Sequence, residues 1–165
     1  MERVAIFVDV QNIYYTVRQA YDAQFDYTAF WRRVTENREV VEATAFAIDR
    51  NDEKQRRFQN ALRGIGFNVK LKPFISRADG SAKGDWDVGI VLDVIDAAPK
   101  VDTVVLASGD GDFDLLVQRL RDRHKLTVEI YGVPLLTARS LMDSATRFIP
   151  IDDGLLKRPD IKSRT

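Results

Sequence analysis

The segment Ser108-Gly109-Asp110-Gly111-Asp112-Phe113-Asp114 follows an apolar run, Thr103 to Ala107, and leads into Leu115, Leu116 and Leu120 at helical spacing. A strand that stops on a cluster of aspartates at the start of a helix is suited to hold a divalent cation through hard oxygen ligands. The amino terminus shows the same pattern, because Val4-Ala5-Ile6-Phe7-Val8 stops on Asp9. Two strand-end carboxylates so far apart in the chain suggest a single acidic site assembled by the fold. The matching chemistry is metal-activated water attacking a phosphodiester.

Other chemistries are thinly supplied. The chain has no cysteine, which removes disulfides, thiolate metal sites and a cysteine nucleophile. With one histidine, His124, neither a Ser-His-Asp triad nor a multi-histidine metal site is expected. Without sulfur or imidazole, a carboxylate site favours Mg²⁺ or Mn²⁺ over zinc. No apolar run approaches the roughly 18 residues of a membrane span, and Met1 leads directly into a core strand rather than a signal peptide. No membrane association and a cytoplasmic location are therefore the expectations; a homo-oligomer is not readable from the sequence.

The 25 basic and 25 acidic residues cancel, which argues against a generally basic nucleic-acid binder. Their placement is uneven. Residues 54–83 hold Lys54, Arg56, Arg57, Arg63, Lys70, Lys72, Arg77 and Lys83 against Asp79 alone. Residues 85–114 hold Asp85, Asp87, Asp93, Asp96, Asp102, Asp110, Asp112 and Asp114 against Lys100 alone. A basic stretch beside an acidic one suits an enzyme that grips a phosphate backbone and works on it through bound metal. Two solvated faces would also read this way.

The elements that must position these groups alternate along the chain. Strands are predicted over Arg3–Asp9, Val40–Ile48, Phe67–Ile75, Asp102–Ala107 and Leu126–Tyr131, with a small sixth over Arg147–Ile151. Helices are predicted over Gln11–Tyr21, from an Asp26 cap to Asn37, and from Glu53 to the Gly64/Gly66 pair. Further helices run from Asp85 or Lys83 to before Pro99, over Phe113–Arg123 and around Ala138–Ala145. Residues 77–82 read as a polar loop and residues 153–165 as a polar tail, leaving one domain over 1–152. Strands separated by helices of this length indicate an α/β fold, a mainly parallel sheet with helices on both faces in an α/β/α sandwich.

In such a sheet ligands bind beyond the carboxyl ends of the strands, where the strand order reverses. In the order 3-2-1-4-5, Asp9 and Asp110 stand on neighbouring strands at that point. The helix starts carrying Asp87 and Asp112 lie along the same edge. Two unit charges ~4 Å apart repel by about 4 kcal/mol at an effective dielectric near 20. Such a cluster therefore keeps some carboxyls protonated or binds a cation. Each residue also has a plainer reading. Asp112 can be a helix cap, Asp9 a turn residue, and Asp85 can take the part of Asp87. Asp93, within an apolar helix, is either buried with a partner or, the expectation here, supports the metal ligands from behind. Asp114 is expected to be exposed, and His124 to be a surface residue near a helix end.

The stretches FVDVQNIY at 7–14, KGDWDVGIVLDV at 83–94, SGDGDFDLLV at 108–117 and YGVPLLTARSLMDSATRFIPI at 131–151 resemble a LabA-like NYN domain. That family is a branch of the PIN-like ribonuclease superfamily, and the resemblance spans nearly all of residues 3–152. It implies a PIN-like sheet of order 3-2-1-4-5 and metal-dependent cleavage of RNA, single-stranded by preference. Onto this chain it carries Asp9, Asp87, Asp110 and Asp112 as metal-holding, catalytic acids. Asn12, Lys83 and Ser108 accompany them, Asp93 belongs to the Asp87 motif, and Arg77 joins Lys83 as a phosphate contact. Val10 and Gln11 stand where the family has glycine and a small residue. Trp86 replaces a small aliphatic residue, as a base-stacking platform or, the expectation here, a core anchor.

Two other strand-end aspartate chemistries fit less well. A haloacid-dehalogenase-type phosphatase needs a second aspartate where Gln11 stands, and a receiver domain needs a phospho-acceptor where Ile75-Ser76 offers none. The remaining alternative is a catalytically weak RNA- or protein-binding regulatory module on a nuclease fold.

Overall fold

Val4, Ala5, Ile6, Phe7 and Val8 are all fully buried, so the strand they form is covered on both faces. That strand, β1 (Glu2–Asp9), is central to a six-stranded sheet. The computed structural model describes residues 1–73, 75–76, 82–83 and 85–158, with 75–76 and 82–83 as backbone only. The other sheet strands are β2 (Arg38–Asp49), β3 (Asn68–Pro73), β4 (Thr103–Ala107), β5 (Thr127–Gly132) and β6 (Arg147–Pro150). Their order is β3-β2-β1-β4-β5-β6, and every pairing is parallel. This is the expected order with the short sixth strand added at the edge.

Alternation along β1 divides the core in two. Val4, Ile6 and Val8 face α1 (Val10–Tyr21), α2 (Tyr27–Thr35) and α3 (Glu53–Ile65), meeting Ile13, Val17, Phe30, Val34 and Leu62. Ala5 and Phe7 face α4 (Asp87–Ala97), α5 (Asp114–Asp122) and α6 (Arg139–Ser144), meeting Ile90, Val94, Leu116, Leu120 and Leu141. The chain moves outward through β2 and β3 with helices on one face. It then returns to β4 and moves the other way with helices on the opposite face. The reversal falls between β1 and β4.

Local chemistry sets the helix starts. Asp9, Asp26 and Asp52 cap α1, α2 and α3, each accepting a backbone N–H in the first turn. Asp9 is at once the last residue of β1 and the cap of α1, with no loop between. Gly66, at φ 138°, ends α3 against the Trp31 ring, which leaves no room for a Cβ.

Charges at the amino-terminal half of the sheet are paired. Buried Glu129 on β5 accepts from both terminal guanidinium nitrogens of Arg38, and Arg147 adds a third contact. Arg38 also meets Glu2.

Some boundaries differ from the sequence reading. Strand β2 is longer at both ends than predicted, and a bulge leaves Val41 without a partner between Val4↔Val40 and Ala5↔Glu42. Residues 153–158, expected to open a polar tail, are packed instead. Leu155 is fully buried, and Leu156–Lys157 pairs antiparallel with Gln24–Phe25. A two-residue strand paired across most of the chain has too little periodicity to be seen in sequence. Among the described residues, no helix is long and apolar enough to cross a membrane.

Candidate metal centre

Three carboxylates from three separate segments meet at the reversal point. Asp9 ends β1, Asp87 opens α4 and Asp110 follows β4. One oxygen from each lies within 4.8 Å of the others. Asp9 is buried, at 8% exposure, while Asp87 and Asp110 are half-buried and leave the cluster open to solvent.

The scaffold under these acids is a set of short hydrogen bonds. Ser108, fully buried, donates its hydroxyl to Asp9 Oδ2 at 3.2 Å and accepts the Asp110 N–H at 3.1 Å. The Asn12 N–H donates to Asp9 Oδ1 at 3.4 Å, and Asn12 Oδ1 accepts the Gly109 N–H at 2.9 Å. Helix α1 is thereby tied to the end of β4. Asp110 Oδ1 accepts the Asp112 N–H at 2.9 Å and caps the 3₁₀ turn Gly111–Phe113.

The electrostatics are those of an unneutralised cluster. Burial pushes the Asp9 carboxyl up to about 6, against the Asn12 N–H and Ser108 hydroxyl, which lower it; the Asp110 and Asp85 charges add to the rise. Burial also pushes Asp87 up, to about 7, assisted by the charge and hydrogen bond of Asp110 and then by Asp85 and Asp9. No ion pair among the described residues includes Asp9, Asp87 or Asp110. The same sheet gives buried Glu129 two arginines. Paired charge at one end and mutually repelling carboxylates at the other fit a centre completed by a divalent cation with oxygen ligands.

Residues 3–152 match the NYN domain. The chain belongs to the NYN domain family. NYN domains are a PIN-like, nuclease-type family, and this one is LabA-like. It is 28% identical over 160 residues to the low amplitude and bright protein LabA of Synechococcus elongatus, covering 92% of this chain and 84% of the other. It also resembles the crystal structure of a protein of unknown function from Vibrio parahaemolyticus. That similarity has a TM-score of 0.90 and 58% identity, over 94% of this chain and 96% of the other.

Two expected members of the site of this NYN domain, Asp112 and Asp93, lie outside the triad. Asp112 is exposed and outside the triad, in the 3₁₀ turn that Asp110 caps; its backbone N–H, not its carboxylate, serves Asp110. Asp93, half-buried on α4 beyond Asp87, is ion-paired with Lys70 of β3 and lies outside the triad, where support of the metal ligands from behind was expected. The expectation for Arg77 lies outside the described residues. For Lys83 only the backbone is described, paired with Ile75.

Asp85 and Asp87 do not compete for one place. Asp87 enters the triad, while Asp85 accepts the Asp87 N–H at 3.2 Å and adds charge to the cluster. Trp86 is anchored: its indole N–H donates to the Ala47 carbonyl at 2.8 Å, and its ring packs against Phe46. Lys72 lies over that ring, 4.7 Å from its centroid. Gly89 permits the packing, since a Cβ there would stand 2.5 Å from Trp86 Cε3. The sequence reading passed over Tyr14 and Tyr15, whose signal was two aromatics off the buried Val10, Ile13, Val17 stripe of α1.

Proposed function

We propose that this NYN domain is a ribonuclease that hydrolyses phosphodiester bonds of single-stranded RNA, using Mg²⁺ or Mn²⁺ held by Asp9, Asp87 and Asp110. The observation that carries the reading is the convergence, at the sheet's reversal point in a nuclease-type family, of three carboxylates that have no ion pair among the described residues. The ion, when bound, would supply an activated water and charge stabilisation for the phosphate.

The chain's own residues do the positioning. Ser108 holds the Asp9 carboxylate in place and links it to the Asp110 backbone. Asn12, with Oδ1 committed to Gly109, keeps its amide NH₂ as a donor matched to a phosphate oxygen. Asp85 raises the negative field and so favours cation binding. Lys83 and Arg77 keep their expected part as phosphate contacts in this reading.

Purified protein incubated with end-labelled single-stranded RNA and Mn²⁺ tests it, with EDTA and Asp110→Asn as controls. Cleavage that disappears in both controls is expected. Intact RNA in the presence of either Mn²⁺ or Mg²⁺ would overturn the reading. RNA or protein binding without turnover would then favour a regulatory module on this fold.

A further inference from the structure

Tyr14 and Tyr15 stand on α1, the helix that Asp9 caps, and are 49% and 50% exposed. Their rings meet edge-on, with centroids 5.3 Å apart. At ~1.5 Å rise per residue they lie roughly 8–9 Å along the helix from Asp9. Helical side chains lean toward the amino terminus, which here is the edge carrying the acids.

Arg18, one turn further on, donates to the Tyr14 hydroxyl at 2.8 Å and lies 5.9 Å from its ring centroid. It has no carboxylate partner among the described ion pairs. The Pro134–Leu136 turn packs against α1 and presents Leu135, 93% exposed. Trp86, next to Asp87, packs against Phe46 with Lys72 over its ring and is the more buried aromatic.

We infer that Tyr14 and Tyr15, with Arg18 behind them, form a stacking platform for unpaired bases of the RNA strand whose phosphate lies at the Asp9–Asp87–Asp110 cleft. The inference rests on the ribonuclease reading and extends it to the substrate: a strand held by base stacking and one arginine. The acid cluster itself repels phosphate, and base stacking beside it supplies affinity in addition to that of the basic 54–83 stretch. Bases locked in a duplex cannot reach the rings, so the platform selects single strands.

The test uses RNA carrying 2-aminopurine next to the cleavage position, with the full chain and Mn²⁺. Wild type should quench the 2-aminopurine fluorescence and cleave the strand, and the matching duplex should be a poor substrate. Tyr14→Leu/Tyr15→Leu should abolish the quench and raise KM by about fivefold to a hundredfold, with the loss in KM rather than kcat. Tyr14→Phe/Tyr15→Phe, which keeps both rings, should stay within about threefold of wild type. Melting curves check that each variant is folded. Unchanged quench and KM in the leucine variant, or equal losses in the phenylalanine variant, would overturn the platform and leave the nuclease standing. A wild-type protein that neither cleaves nor binds RNA removes both.

Discussion

The Ser108 hydroxyl bridges two acids, donating to Asp9 Oδ2 while accepting the Asp110 N–H. A single fully buried oxygen thus fixes the end of β1 to the segment after β4.

Ser108→Ala removes both bonds, leaves the Asp110 N–H without that acceptor and pushes the Asp9 carboxyl further up. A stability loss of about 1–3 kcal/mol is expected. Mn²⁺ affinity should weaken by roughly tenfold or more. Thermal melts with and without Mn²⁺, together with calorimetric titration, check this. Unchanged Mn²⁺ affinity would separate Ser108 from the metal centre.

Asp110→Asn keeps a side-chain carbonyl for the Asp112 N–H but deletes a charge that raises both Asp9 and Asp87. Cleavage should fall by about 10²-fold or more, while the metal-free protein should melt a few degrees higher, about 2–4 °C per kcal/mol of relieved repulsion. A variant that melts lower and still cleaves would contradict the assignment.

The pH dependence of the metal-free protein should run against ordinary acid denaturation. Asp9 and Asp87 rise from 3.8 to about 6 and about 7 on folding. The folded chain therefore holds protons that the unfolded chain has lost, and ΔG of unfolding declines as pH increases. Their contribution is complete below about pH 4 and is lost on passing through pH 6 to 7. For Asp9 it amounts to at most about 3 kcal/mol. In EDTA, Tm should drop between pH 5 and 7.5, and Mn²⁺ should remove the slope. A flat profile in EDTA would show that Asp9 and Asp87 are not raised on folding.

Asp93→Asn tests a different assignment. Its partner is Lys70, so the variant should cost about 1 kcal/mol or less and leave cleavage within about threefold. A hundredfold loss of kcat/KM would place Asp93 with the metal after all.

Gly89→Ala probes the support behind Asp87. Trp86 cannot swing aside without losing its bond to the Ala47 carbonyl, so the added methyl should destabilise by about 1–3 kcal/mol. Trp86→Leu should relieve most of that cost, as a double-mutant cycle in melting experiments would show.

Much of the architecture was legible because it depends on local pattern. The all-apolar Val4–Val8 run announces a strand covered on both faces, and alternation with amphipathic helices demands a parallel sheet. The placement of Asp9 and Asp110 on neighbouring strands follows from that order. Asp87 carried less local signal, since Asp85 stands two positions away with the same side chain.

Tertiary structure decided what a rotation of a few tens of degrees decides. Asp112 sits in the 3₁₀ turn after Asp110 and stays outside the triad, and the packing of α4 beside β3 puts Lys70 within reach of Asp93. The packing of the 153–158 segment was equally hidden, because Leu156–Lys157 meets Gln24–Phe25 from the far end of the chain. Sequence by itself determined which residue types sit at the ends of which elements, since periodicity and capping are properties of short windows. Which carboxylate finds a cation and which is left facing others was decided by side-chain direction, a property of the assembled fold.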